Sequence, residues 1–410
     1  MDIAFGDRIN VITGDNGLGK SFLLEVAWWA LTRTWASSAA LPNKGEERNA
    51  TLGYRIAGRG GDIRDDVAYN PRRQAWIHGP GRPPIPGFIV YARVDGSFAV
   101  MDPARNDPPQ ESDDDLFTFR RRPTAFFFEP NDVWSGLKID GVDLCNGLIA
   151  DWRVWQLENS PEFRALTQAL LVLSPDPSER LEPGEPRRID LLDSRDIPTL
   201  RMPYGDVPVT HASAGVRRIL ALAYLLVWAW HEHREASELL GEAPSDRVTL
   251  LIDEVEAHLH PRWQRVILPA VLDALVGLGA PPDSQLICVT HSPLVLASLE
   301  SHWKEGHDRL FTLDLRSGNG SAPQPELRQI PWRTRGDVNS WLTSEIFDLG
   351  QARSREAEEV IDRARKIMRR PGQDPAAITE LVQELARYLP ETDPLLARLD
   401  ALASGTADPS

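Results

Sequence analysis

The spacing of apolar positions changes several times along the chain, and each change marks an element. Residues 8 to 12 (Arg-Ile-Asn-Val-Ile) read as a short strand, 13 to 19 as a glycine-rich loop, and 20 to 36 as a helix with an apolar face. From 53 to about 100, β-branched and aromatic runs such as Phe88-Ile89-Val90-Tyr91 and Phe98-Ala99-Val100 alternate with turns such as Asp95-Gly96, which predicts an antiparallel lobe. Residues 101 to 123 turn acidic (Asp113 to Asp115) and then basic (Arg120 to Arg122), the pattern of a solvated loop. Helical spacing returns between 144 and 173 through Leu144, Leu148, Trp152, Trp155, Leu166, Leu170 and Leu173. Prolines and charges over 174 to 188 then mark a linker or exposed loop.

The next stretch predicts a helix over 214–233, a strand over 248–252, a helix over 261–277 and a strand over 285–289, the alternation of an α/β layer. Beyond 335, Ala357, Val360, Ile361, Ala364 and Ile367 form one apolar stripe, Pro371-Gly372 breaks it, and Ile378, Leu381, Val382, Leu385 and Leu389 form a second. This predicts a C-terminal helical hairpin. The expected division is 1–123 and 191–335 as the two parts of an α/β body, 124–190 as a mainly helical insertion, and 336–410 as a helical segment. No fixed-period repeat is visible.

A length of 410 residues suggests about two or three domains and ample buried core. With 42% hydrophobic and 26% charged residues the composition is globular. The net charge of −15 disfavours a surface that attracts nucleic acid as a whole, leaving only a local basic groove for DNA. Cys145 and Cys288 form neither a disulfide framework nor a C-x-x-C pair, so a reducing cytoplasmic setting is expected. No apolar run of about 18 residues and no basic-then-apolar leader layout is found, which argues against membrane insertion and secretion.

Residues 14 to 21, Gly-Asp-Asn-Gly-Leu-Gly-Lys-Ser, fit G-x-x-x-x-G-K-[ST] between a predicted strand and a predicted helix. Glycines let the backbone curl so that successive amides face phosphate oxygens, and the helix adds the positive end of its dipole. The candidate cradle is Asp15, Asn16, Gly17, Leu18, Gly19, Lys20, Ser21 and Phe22, with Lys20 reaching the β- and γ-phosphates and the Ser21 hydroxyl placed on Mg2+. Residues 248 to 254, Val-Thr-Leu-Leu-Ile-Asp-Glu, are an apolar strand ending in two carboxylates, at the end of a parallel sheet where ligands bind. Asp253 suits the Mg2+ and Glu254 an attacking water. His291 closes another apolar strand, either as a structural hydrogen-bonding residue or as a contact to the γ-phosphate or water. Ser213 is a helix N-cap that, with the Gly215 amide, also makes an anion site.

Taken in order, Gly14 to Ser21, Ser213 to Arg218, Leu250 to Glu254 with Glu256-Ala257-His258-Leu259-His260-Pro261, and Thr290-His291-Ser292-Pro293 resemble the ATP-binding-cassette (ABC) ATPases. The wording is similar to AAA-family ATPases close to the overcoming-lysogenization-defect (OLD) nucleases and the SMC and RecF group. The likeness covers 1 to 60 and 205 to 315. It implies a P-loop ABC-type head with a mixed sheet and an antiparallel lobe, ATP and Mg2+ as cofactors, and two heads sandwiching two nucleotides. Lys20 and Ser21 then fall on the phosphate-loop lysine and the magnesium-binding serine, Asp253 on the second magnesium residue, and Glu254 on the catalytic base. Ser213 and Gly215 fall on the signature motif, His291 on the switch histidine, and Glu256 to His260 on the loop that crosses the dimer interface, where His258 and His260 read equally as caps. Ala214 replaces the first signature glycine, and Gln74 is the nearest counterpart of the family's magnesium- and water-sensing glutamine.

These implications point to an ATP hydrolase that acts as a dimerisation switch. The expected assembly is a homodimer of heads or a higher even oligomer serving a separate effector, such as a nuclease or toxin in bacterial phage defence, without a membrane partner. A DNA-stimulated repair ATPase of the SMC or RecF kind is the alternative. Phe126, Phe127, Phe128, Trp134, Trp152, Trp155 and the C-terminal hairpin are candidate contact surfaces, or else core.

Overall fold

The computed structural model describes residues 1–57, 62–77, 87–106, 122–282, 284–316, 323–368 and 375–403. The contacts divide the chain into a unit over Met1–Thr334 and a second beginning at Arg335. The first is built on an eight-stranded sheet in the order Gln324–Ile330, Arg309–Arg316, Ile9–Gly14, Gln285–Val289, Val248–Asp253, Phe88–Ala92, Phe98–Met101, Phe126–Phe128. Neighbours from Arg309–Arg316 to Phe88–Ala92 run parallel, and the outer pairings are antiparallel.

Continuous apolar runs explain the parallel centre, since such strands are covered on both faces and need no polar side. Every residue of Val248–Asp253 is buried, as is every residue of Phe88–Ala92. Leu24 and Trp28 from the helix Lys20–Thr32 pack with Ile12, Ile89, Tyr91, Leu251, Ile287, Val289 and Phe311 in one core cluster. The helix Ala214–Leu240 is apolar nearly all round its first four turns, as an element enclosed in a core must be, and ends on Gly241 in the left-handed region (φ 70°). Helices Leu148–Glu158 and Pro161–Val172 pack against it, with Trp152, Leu166 and Leu170 fully enclosed.

Several expectations need correction. The lobe predicted over 53–100 is two objects: Thr51–Ile56, Ile63–Asn70 and Ala75–Ile77 form a separate antiparallel sheet, whereas Phe88–Ala92 and Phe98–Met101 belong to the main one. The unbroken apolar run of Phe88–Ala92 is the mark of a buried parallel strand. The 124–190 segment opens on the edge strand Phe126–Phe128 and contains the hairpin Leu137–Ile139 with Val142–Cys145, and its helical part is divided at Asn159 (φ 48°) and Ser160-Pro161. Phe126, Phe128 and Trp152 are core, Trp155 packs against Tyr224 with ring centroids 5.7 Å apart, and Phe127 is the one of these aromatics with an exposed side chain, at 40%. The helix predicted over 20–36 stops at Thr32, where Arg33 turns left-handed, and the one predicted over 261–277 is interrupted at Arg265 and Val266. The acidic and basic run from Asp113 to Arg121 lies outside the described residues, as does Pro371-Gly372.

The C-terminal unit is not a two-helix hairpin. Helices Arg355–Met368, Pro375–Leu385 and Pro394–Ala403 share a core of Val360, Ile361, Ala364, Leu381, Leu385, Leu396 and Leu399. A two-helix pair leaves one side of each stripe uncovered, and the third helix supplies the missing wall. No described helix is long and apolar enough to cross a membrane.

Candidate functional site

The glycine-rich loop leaves the sheet at Gly14 (φ 122°), where a Cβ would stand 2.2 Å from the Leu313 carbonyl oxygen, so only glycine fits. Gly17 (φ 77°) and Gly19 (φ 97°) complete the curl and deliver the chain to the helix Lys20–Thr32. That helix has no side-chain cap and no acidic residue in its first turn, so its N-terminal amides remain available to an anion. Lys20 is folded over the loop, its Nζ donating to the Gly14 carbonyl at 3.0 Å and the Asp15 carbonyl at 2.5 Å. Burial lowers the Lys20 pKa, and the carboxylates of Glu254, Asp15 and Asp253 oppose the shift.

Pairing of Val248–Asp253 with Gln285–Val289, and of the latter with Ile9–Gly14, brings the ends of three parallel strands together. Asp253 is 2% exposed, and its Oδ1 has no hydrogen-bond partner among the described residues. Burial raises its pKa, while a hydrogen bond from Ser21 favours the ionised form. A buried carboxylate oxygen without a partner, beside a hydroxyl at the foot of a phosphate cradle, is the donor set a hard divalent cation takes. Among the described residues no group of three or more His, Cys, Asp or Glu gathers as a metal site, so Mg2+ here would rest on Ser21, Asp253, phosphate oxygens and water.

Glu254 leaves the strand in the left-handed region (φ 47°), a conformation that costs a non-glycine residue about 1 kcal/mol or more. Its amide is held by the Val289 carbonyl at 3.0 Å, and its Oε1 stands 3.6 Å from His291 Nε2. The His291 pKa is lowered by burial first and by the charge of Lys20 second; Glu254 and a hydrogen bond to the Gly14 backbone oppose this. The net shift favours the neutral ring. Glu256 receives the His291 amide on Oε1 at 2.5 Å, and Ser292 donates to Gln264, whose amide reaches the Leu259 carbonyl. The loop after the acidic strand is thus tied to the end of the histidine strand. The pinning role of Glu256 and the participation of Gln264 have no signal in the linear pattern.

Ser213 caps the helix Ala214–Leu240, accepting from Val216 N at 3.4 Å. Gly215 is required for close approach rather than for its dihedral angles: a Cβ there would lie 2.5 Å from the His258 carbonyl oxygen. Arg218 donates to the Asp253 and Glu254 carbonyls, each at 3.0 Å, and to the Val94 carbonyl at 2.6 Å. The start of the helix Ala214–Leu240 therefore lies against the end of the acidic strand. His260 caps the short helix Pro261–Gln264, whereas His258 turns left-handed (φ 64°). Phe22 is 44% exposed. Gln74 lies in the exposed turn that closes the small sheet (φ 49°). The residue leaving the strand next to Val248–Asp253 is Arg93, so the expectation for Gln74 is not supported by its position. Sequence spacing did not place that turn in the small sheet.

Residues 203–297 match the family described as AAA domain, putative AbiEii toxin, Type IV TA system. The matched stretch contains Ser213, Asp253, Glu254 and His291. The chain is 28% identical over 104 residues to the Retron Ec83 probable ATPase of Escherichia coli, covering 25% of this chain and 15% of that protein. It is 42% identical over 52 residues to the Retron Vc95 probable ATPase of Vibrio cholerae, 13% of this chain and 9% of that one. The chain thus spans a small part of the length of both relatives. Among solved structures it is similar to the SMC head domain from Thermotoga maritima, with a TM-score of 0.36 and 15% identity over 81% of this chain and 92% of that one. It is also similar to an Smc head bound to the C-winged helix domain of ScpA, with a TM-score of 0.36 and 14% identity over 80% and 91%. The matched segment is thus similar to an AAA domain, and the sheet places its acidic strand and its histidine strand beside the loop of Gly14 to Ser21.

Proposed function

We propose that the protein is a Mg2+-dependent ATP hydrolase whose heads pair across two bound nucleotides. One observation carries this reading: Lys20, Ser21, Asp253, Glu254 and His291, spread over about 270 residues of sequence, converge at the carboxyl ends of three adjacent parallel strands. The loop amides and Lys20 hold the phosphates, and Ser21 with Asp253 hold Mg2+, which when bound neutralises phosphate charge. Glu254 accepts the proton of the attacking water, and neutral His291, positioned by Glu256, orients that water or the γ-phosphate. Ser213 and Gly215 are taken to complete the site of a second copy, because they open a long helix whose N-terminus carries the positive end of its dipole. Two copies related by a two-fold axis satisfy both sites at once, which favours a homodimer or an even multiple. The names of the retron relatives support a defence setting with a separate effector, such as a nuclease or toxin.

The test is the mass of the Glu254→Gln protein by light scattering, with and without Mg-ATP. Loss of the base is expected to lower turnover by roughly 10²–10⁴-fold while nucleotide is retained, giving an ATP-dependent doubling of mass that Ser213→Arg abolishes. A monomer that binds ATP and never pairs overturns the shared-site mechanism. Stimulation of phosphate release by duplex DNA, fading with salt, would favour the repair reading.

A further inference from the structure

A cavity of about 380 Å3 that none of these roles uses is lined by Trp134, Ile149, Arg195, Thr210 and Arg217, with Asn131 and Ser135. Its size falls within the range of about 300–1,000 Å3 that small-ligand sites span. Trp134 comes from the short helix Pro130–Ser135, which buried Val133 anchors, and Arg217 from the start of the helix Ala214–Leu240. The Arg217 guanidinium lies over the Trp134 ring, 5.0 Å from its centroid, and among the described residues it meets no carboxylate and no hydrogen-bond acceptor. The arginines near it are engaged. Arg218 serves three carbonyls, and Arg195 grips Asp193, with Nη2 to Oδ2 at 2.7 Å and Nε to Oδ1 at 3.0 Å. Thr210 Oγ1 is buried and has no partner among the described residues.

An arginine stacked on a tryptophan is by itself an ordinary surface contact. Three further features set this one apart. The chain has 60 acidic against 45 basic residues, yet among the described residues that line the cavity two are arginines and none is acidic. A guanidinium without a counter-charge in a concave site selects an oxyanion, which it can meet with two parallel N–H groups. The Thr210 hydroxyl, left without an acceptor, and the Asn131 amide supply donors for further oxygens, which favours phosphate over carboxylate. A lone phosphate would leave most of the volume empty. The remaining walls are apolar or flat, and a guanidinium lying on an indole is a platform on which a planar ring stacks.

We propose that this cavity is a second ligand site, for a small phosphorylated molecule with a flat apolar body, of which a nucleoside monophosphate is the simplest. Arg217 holds the phosphate, Thr210 and Asn131 donate to its remaining oxygens, and Trp134 with Ile149 encloses the base. None of these residues belongs to the phosphate loop, the acidic strand or the histidine strand, so the site stands whether or not the ATPase reading does.

The experiment is calorimetric titration of the full chain in EDTA with AMP, GMP, CMP and UMP in turn, for the native protein and for Lys20→Ala. At least one of the four is expected to bind with a Kd below about 1 mM, and equally well to both proteins. Arg217 is exposed, so Arg217→Ala keeps the fold; it is expected to weaken that binding by roughly ten- to hundredfold. Arg217→Lys should recover only part of the loss, because an ammonium offers neither the fork nor the flat face. Trp134→Leu is expected to weaken binding by roughly tenfold, whereas Trp134→Phe, which keeps a ring, should stay within about threefold. Failure of all four nucleotides at about 1 mM would overturn the site. So would unchanged affinity in Arg217→Ala and Trp134→Leu, or loss of binding in Lys20→Ala, which would place the nucleotide in the phosphate loop. Adenosine binding as tightly as AMP would remove the phosphate from the assignment, and inorganic phosphate competing as well as AMP would remove the base; either result overturns it.

Discussion

Removing Arg218 should uncouple the helix Ala214–Leu240 from the acidic strand, and the size of the effect follows from its contacts. The guanidinium donates to three backbone carbonyls, Val94 at 2.6 Å and Asp253 and Glu254 at 3.0 Å each. Hydrogen bonds to a charged group contribute about 1.5–3 kcal/mol each, so three would sum to about 5–9 kcal/mol if nothing opposed them. Burial opposes them, since it lowers the Arg218 pKa and so penalises the charged form. We therefore expect Arg218→Ala to destabilise the Met1–Thr334 unit by about 3 kcal/mol, on the order of 5 °C in midpoint. Arg218→Lys should recover less than half, because a single ammonium cannot serve carbonyls on two strands from one position. Urea unfolding with an unchanged slope measures the stability, and light scattering in Mg-ATP measures pairing. Nucleotide binding should survive while pairing is lost, because the phosphate loop is untouched and the Ser213 helix start is freed. The control is Arg217→Ala, whose guanidinium lies over Trp134 at 5.0 Å, for which a loss of about 1 kcal/mol or less is expected. A loss below about 0.5 kcal/mol for Arg218→Ala, or equal losses for the two arginines, would refute the assignment.

Two more outcomes follow from the geometry. Gly215→Ala puts a methyl 2.5 Å from the His258 carbonyl oxygen, so the helix start and the loop at His258 must separate; the expected result is loss of ATP-dependent mass increase with ATP-analogue affinity changed less than about twofold, and pairing at the native concentration would contradict it. Glu256 is raised in pKa by burial, and its Oε2 has no partner among the described residues. A carboxyl whose folded pKa is raised contributes fully below its unfolded value and loses that contribution as pH climbs through the folded one. Glu256→Gln keeps an acceptor for the His291 amide without the buried charge, so its stability relative to the native protein should improve between pH 5 and pH 8; denaturant midpoints at the two values test the sign.

Much of the head was legible because its chemistry is local. Three glycines, a lysine and a serine within eight positions, with apolar residues on either side, specify a strand, an amide-lined turn and a helix start through neighbouring dihedral angles alone. The run Val-Thr-Leu-Leu-Ile before two carboxylates likewise declares a strand buried on both faces. Errors fell where the deciding contact is distant. Phe88–Ala92 looked like part of a hairpin lobe because Asp95-Gly96 follows it, and its parallel partner lies 160 residues later in register with Phe88 at Val248. The same pairing put Arg93 rather than Gln74 beside Asp253.

Residue spacing by itself therefore determined the glycine-rich loop, the acidic strand, the serine-capped helix and the histidine that ends its strand. Each is a pattern within a single element, set by backbone dihedral angles and the alternation of apolar positions. Only the tertiary structure decided which of these elements are neighbours: that Asp253 meets Ser21, that Glu256 holds the His291 amide, that Arg218 joins three carbonyls, and that Arg93 leaves its strand at the level of Asp253. Such contacts are settled by strand order and by the burial of charge in a low-dielectric interior. Neither leaves a periodic trace in the chain, because each depends on residues that are far apart in sequence and close only once the sheet has closed.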